Sequence, residues 1–162
     1  MELLVEKAQY TFADCLTWDE SERIEIINGE AFMMTPPSSR HQEVCFEIGR
    51  QLGNFLEGKH CKVYPAPFSV RLFEQDGNAP DLVIEILSPS TQRQDRLVKL
   101  NLYQQAKVLE YWIVDPDTQS VQGFLLDDCG FPRIHEDYGR EDAAKVHVLD
   151  GGFIELSKVF SE

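Results

Sequence analysis

Positive charge is scarce in this sequence: 15 lysines and arginines stand against 28 aspartates and glutamates in 162 residues, for a formal net charge of -13. That balance excludes a surface that coats nucleic acid by general attraction, because phosphate contacts need a clustered positive field. Any nucleic-acid role has to rest on a local basic patch. Cysteine is thin as well. The four cysteines, Cys15, Cys45, Cys61 and Cys129, form no Cys-x-x-Cys pair and have no histidine at ligand spacing. Neither a zinc site nor a disulfide framework is indicated, which leaves reduced core thiols. No apolar run reaches the roughly eighteen residues needed to span a bilayer. Residues 1–7 lack the basic start and long apolar stretch of a signal peptide. The expectation is a cytoplasmic protein with no membrane partner.

What is present suits one core. With 43% apolar residues, the chain can bury one sizeable interior but not two, so residues 1–162 are read as a single domain. Acid is concentrated in two places: Asp14, Asp19, Glu20, Glu22, Glu25 and Glu30 face Arg23 alone, and residues 127–142 hold six acids against Arg133 and Arg140. Between them, Arg93, Arg96, Lys99 and Lys107 oppose only Asp95. Solvated faces are the plain explanation of all three segments.

The order of elements is mixed. Residues 11–16 suggest a helical turn. Residues 23–27 and 30–34 flank Asn28-Gly29, a pair that readily takes the positive φ angles of a tight hairpin turn. Val44, Ile48, Leu52, Phe55 and Leu56 recur at helical spacing across residues 40–57, closed by Gly58. Short strand-like runs at 61–65 and 68–73 are broken by prolines. Residues 81–88 read as a buried strand. Thr91-x-x-Gln94 has the form of a capping box opening a helix that runs to about Lys107. Residues 110–114, rich in aromatic and β-branched side chains, turn through Asp115-Pro116 into a hairpin partner at 120–126. Weaker strands are expected at 131–138 and 145–149, with a helical turn within 153–160. The resulting class is mixed α/β (α+β), a central mixed sheet flanked by helices, with an N-terminal hairpin and C-terminal hairpin strands.

One residue in that order is out of place. Along the strand at 81–88, Leu82, Ile84 and Ile86 share one face, while Asp81, Val83, Glu85 and Leu87 share the other. If the second face is half-solvated, Glu85 simply points at water. If its apolar neighbours are covered, the carboxylate loses hydration, and a cation or a set of donors must replace the water. The following helix carries Asp95, Lys99 and Tyr103 at successive i, i+4 positions, on one stripe. Asp95 and Lys99 could be an ordinary surface ion pair. A strand carboxylate with a nearby lysine is also the minimal set for metal-assisted phosphodiester cleavage, the acid holding Mg²⁺ and the lysine polarising or positioning water.

The residues Asn28-Gly29-Glu30, His41 at a helix start, Pro80-Asp81-Leu82-Val83-Ile84-Glu85-Ile86-Leu87-Ser88-Pro89-Ser90-Thr91, then Asp95, Lys99, Tyr103 and Glu110-Tyr111-Trp112-Ile113-Val114-Asp115-Pro116 closely resemble the Uma-type restriction endonuclease family. The likeness covers about residues 12–126. It implies the restriction-endonuclease-like PD-(D/E)XK nuclease fold and Mg²⁺- or Mn²⁺-dependent hydrolysis of DNA. On the family pattern Glu85 matches the metal-holding carboxylate. Lys99 matches a lysine moved from strand to helix, since Leu87 fills the usual lysine position. Arg93 and Arg96 would meet phosphates, with His41, Asp95 and Tyr103 in support. The pattern also includes an extra strand bearing its own Pro-Asp, the first metal ligand, and here only residues 75–79 are available for it. Asp81 therefore matches either the later Pro-Asp or a fusion of the two. It stands about 13 Å from Glu85 along an extended strand at ~3.3 Å per residue, a poor pairing for one ion. Glu43 and Glu47 are the nearest replacement ligands. The alternative expectation is a catalytically inactive nuclease fold serving as a homodimeric binding or scaffold module, its unpaired sheet edge covered by a second copy.

Overall fold

The computed structural model describes residues 2–4, 9–19, 23–70, 72–73, 79–88, 94–126 and 132–161. They divide into two compact units, 1–37 and 38–162. In the first, β2 (Ile24–Ile27) and β3 (Glu30–Met33) form the expected hairpin. Its turn has Asn28 at φ 52° and Gly29 at φ 84°, so the Asn-Gly signal is the cause of the register. Strand β1 (Glu2–Leu4) pairs with the other side of β3. Between β1 and β2 lies α1 (Phe12–Cys15), where Asp14 Oδ2 accepts hydrogen bonds from the backbone N–H and hydroxyl of Thr11.

The second unit opens with α2 (Ser39–Leu56), capped by Ser38, whose Oγ accepts the His41 N–H at 3.2 Å. Val44, Ile48, Leu52 and Leu56 are buried at four-residue steps, which makes one continuous apolar stripe. The chain then reaches β4 (Leu82–Ile86). It crosses over through a π-helical stretch, Gln94–Lys99, and α3 (Leu100–Gln105) to β5 (Glu110–Asp115), which lies parallel to β4. A parallel pair requires such a crossover. Strands β6 (Ser120–Leu126) and β7 (Pro132–Gly139) continue antiparallel, giving the order β4-β5-β6-β7. A separate hairpin, β8 (Ala143–Val146) and β9 (Gly152–Glu155), leads into α4 (Leu156–Val159).

Strand β5 is buried at all six positions, as a strand covered on both faces must be. One face presents Trp112 and Val114 to Val44, Ile48, Leu52, Ile154, Leu156 and Phe160. The other presents Tyr111 and Ile113 to Leu87, Tyr103, Ala106 and Val108. Leu82, Ile84 and Ile86 of β4 join the first cluster and Val83 joins the second. Both faces of the Glu85 strand therefore carry packed apolar residues, while each of its five residues stays partly exposed.

Three expectations from the sequence need correction. Residues 61–65 and the described part of 68–73 form no strand, since Pro65 and Pro67 withhold two ladder donors. The helix after β4 begins its described course in the π form rather than as a regular α-helix, and Thr91 of the expected capping box lies outside the described residues. The strand expected at 145–149 is shifted to 143–146, because residues 147–151 turn back into β9.

Tyr138 on β7 ties the late hairpin to the sheet: its hydroxyl donates to Glu136 Oε2 and accepts the Lys145 N–H at 3.3 Å. Burial, followed by the bond to Glu136, pushes its phenol up to about 12. A raised folded-state value means stability that is complete below the ordinary tyrosine range near 10 and is lost as pH climbs through 12. Ultraviolet titration of the folded protein should show a tyrosine still protonated at pH 11 that titrates normally in Tyr138→Phe-corrected difference spectra of the unfolded chain.

Candidate functional site

Strand alternation sends Glu85 to the face covered by the crossover helix. There its Oε1 accepts from Lys99 Nζ at 3.0 Å and from Tyr103 OH at 2.7 Å. The Lys99 side chain is 3% exposed and that of Glu85 23%, so the ammonium is sealed in while the carboxylate keeps an edge toward solvent. Lys99 and Tyr103 are one helical turn apart and reach the same oxygen from the same stripe. Tyr103 is held in turn by the Tyr111 ring, with centroids 4.9 Å apart. This orients the donors and leaves Glu85 Oε2 without a hydrogen-bonding protein donor among the described residues.

A second polar cluster lies at the far end of β5. Asp115 Oδ1 caps the turn, accepting from the N–H groups of Asp117 at 3.0 Å and Thr118 at 3.2 Å. Its Oδ2 pairs with Arg96 at 3.3 Å. Arg96 also donates to Gln122 Oε1, and Gln122 Nε2 donates to Asp137 Oδ1 at 3.2 Å. The register sets Glu85 opposite Ile113, Ile113 opposite Gln122 and Gln122 opposite Asp137. Since directly paired residues share a face, these two clusters lie on one side of the sheet. Asp115 and Gln122 were not singled out from the sequence, although the alternation that places Ile113 beside Glu85 also places them.

The other candidates fall as follows. Asp81 is exposed at the entrance to β4, where its carbonyl accepts the Glu110 N–H at 2.9 Å. His41 lies in the first turn of α2, and its N–H is bound by the cap. Arg93 lies outside the described residues, and of Asp95 only the backbone is described. Glu47 is engaged by both arms of Arg50, at 2.8 and 2.6 Å, and by Gln51 at 3.0 Å. The Arg50 bond holds the Glu47 carboxyl below its ordinary value. Glu43 is 64% exposed at its side chain and lies 3.7 Å from Arg40. Among the described residues, no three acids, histidines or cysteines converge as a metal-binding group. The donor set around Glu85 thus fits a Mg²⁺ ion only in its sparse mode, in which one or two carboxylates, waters and substrate phosphates complete the shell. No described helix is long and apolar enough to cross a membrane.

A crystal structure described as a putative nuclease belonging to DUF820, from Anabaena variabilis, superposes with a TM-score of 0.61, covering 94% of this chain and 98% of that one at 18% identity. At that identity the likeness establishes the mixed α/β nuclease-type fold. An uncharacterized protein of Synechocystis is 25% identical over 139 residues, covering 71% of this chain and 73% of its own length. The family pattern described as "Putative restriction endonuclease" matches in two segments, residues 12–81 and 73–154. Those segments take in most of the sequence, and the chain belongs to the Uma2 family of restriction-endonuclease-like proteins.

Proposed function

We propose that this protein is a divalent-metal-dependent nuclease that hydrolyses DNA phosphodiester bonds at Glu85, with Lys99 and Tyr103 as its partners. The observation that carries the reading is the shared oxygen: a nearly sealed lysine and a tyrosine both bind Glu85 Oε1, so one lobe of the carboxylate is fixed and the other remains available. Glu85 is the residue that would hold Mg²⁺ or Mn²⁺, which when bound supplies charge neutralisation and a polarised water. Lys99 would place a positive charge beside the scissile phosphate. Tyr103 fixes the carboxylate's rotation. Arg96, braced by Asp115 and Gln122, holds its guanidinium on the same side of the sheet, and its 40% exposed side chain can approach a neighbouring phosphate. Asp81 is left out of the inner set. The two matched family segments overlap over residues 73–81, which supports reading this stretch as the place where the family pattern's further strand is missing.

Plasmid DNA incubated with Mg²⁺ or Mn²⁺ tests this. Wild type should nick and linearise the plasmid, and Glu85→Gln and Lys99→Ala should each slow it by about 100-fold or more, the scale of removing one preorganised charge. Equal background cleavage by all three proteins refutes the reading. A second reading, a nuclease fold without catalysis that acts as a homodimeric binding module, is favoured by the lack, among the described residues, of three converging metal-ligating side chains and by β4 forming the described edge of its sheet. It predicts no heat on titrating Mn²⁺ into the protein with or without DNA, together with a dimer in sedimentation.

A further inference from the structure

Beyond the Glu85 site, residues 58–73 contain no aspartate or glutamate but hold Lys59, His60, Lys62 and Arg71, in a chain whose net charge is -13. The segment leaves α2 through Gly58 at φ 74°. There Lys59 Nζ lies 3.2 Å from the centre of the Phe55 ring. Farther on, Tyr64 and Phe68 stack with centroids 4.4 Å apart and planes inclined by 12°. Both rings remain open to solvent, at 57% and 56% exposure. Lys59, Lys62 and Tyr64 line a shared open groove of about 520 Å³ with Val63, Leu56 and one acid, Glu57, so that two lysines face a single carboxylate there.

We infer that this groove and the adjoining ring pair form a binding platform for single-stranded nucleic acid. The stacked rings and the neighbouring groove make one contiguous exposed patch, the kind of surface that marks an interaction site, and a partner there must match lysines as well as rings. An unpaired nucleotide does both, since its base stacks on an aromatic face while its phosphate meets the ammonium groups. A duplex does not, because each base is already covered above and below by its neighbours. Pro65 and Pro67, flanking Ala66 between the two rings, limit the freedom of the loop, so that less conformational freedom is lost on binding. The closeness of stacked rings to lysines is the reason for choosing nucleic acid over a second copy of this chain: Phe46, Phe73 and Phe153 are also exposed, but the Tyr64–Phe68 pair is the stacked one that lies beside Lys59 and Lys62.

The test is fluorescence anisotropy with labelled oligothymidylate, oligouridylate and a hairpin duplex in the presence of EDTA, so that neither metal nor cleavage at Glu85 enters the readout. Single strands should bind more tightly than duplex, with DNA and RNA compared to decide the sugar. Tyr64→Ala should weaken binding about tenfold, as loss of one stacking contact does, while Tyr64→Trp should retain it. Lys59→Glu with Lys62→Glu should weaken it further and flatten the salt dependence by about 1.4, at ~0.7 per phosphate contact on a single strand. No binding of single strands, equal or tighter binding of duplex, or indifference to both sets of variants would overturn the inference. So would loss of a wild-type dimer in Tyr64→Ala without any nucleic-acid binding, which would assign the face to self-association.

Discussion

Glu85→Leu is expected to lower folding stability by about 3 kcal/mol, and adding Lys99→Met to it should restore most of the loss. The reason is asymmetry of burial. Lys99 is 2% exposed as a residue, and the Glu85 carboxylate lies 3.0 Å from its ammonium. Removing one member of a buried pair leaves an uncompensated charge, at a cost of roughly 3–5 kcal/mol, whereas replacing both by apolar groups of similar volume is often close to neutral. The partial exposure of Glu85 moves the single-mutant figure toward the lower end of that range. Tyr103 also loses its acceptor in Glu85→Leu, worth about 1 kcal/mol, and that part is not recovered in the double variant. Urea unfolding of the wild type, both single variants and the double gives the coupling directly. Additive losses would mean that the pair does not exist as described.

Glu110→Ala is the second large expectation, a loss of about 3 kcal/mol with no bearing on the Glu85 chemistry. Glu110 is 1% exposed. Its Oε1 accepts the Trp112 indole N–H at 2.7 Å and its Oε2 accepts the Val148 backbone N–H at 2.9 Å. One carboxylate thus joins the central strand to the loop that closes the β8–β9 hairpin. Truncation strands two buried donors, each at about 1–3 kcal/mol, and opens a cavity beside Trp112. Glu110→Gln keeps one acceptor and should cost about half as much. Chemical denaturation read by Trp112 fluorescence measures both, and a change below about 1 kcal/mol for Glu110→Ala would show that water replaces the carboxylate.

These effects bear on what could be read from the chain. The Asn28-Gly29 hairpin, the α2 stripe and the strands β4 to β6 were legible because each is fixed by local chemistry: positive φ tolerance, a 3.6-residue period, or alternation. The stripe that carries Lys99 and Tyr103 was legible from helical spacing, whereas Lys99 was matched to Glu85 through the likeness to the family, and the Tyr103 bond to the same oxygen was not foreseen. The Asp115–Arg96–Gln122 cluster was not, because it depends on strand register across a turn. Glu110 was read as part of a β-rich run, and its role depends on a loop almost forty residues away. Residues 61–73 were overread, since apolar and aromatic content suggests strands, but prolines prevent them from joining a ladder.

The π-helical stretch at Gln94–Lys99 has a further bearing on evolution and engineering. An α-helix acquires such a turn when one residue is inserted without moving either end. Each residue in the regular helix accounts for about 100° of rotation and 1.5 Å of rise. Deleting a single residue there would make the helix more regular and its hydrogen bonding more favourable. Lys99 and Tyr103, at and beyond the end of that stretch, would keep their four-residue spacing and would turn together by about 100° relative to Glu85 wherever the preceding chain does not take up the change. The segment that looks like a flaw in the winding therefore works as a spacer, and its length, more than its composition, is what selection at this site would guard.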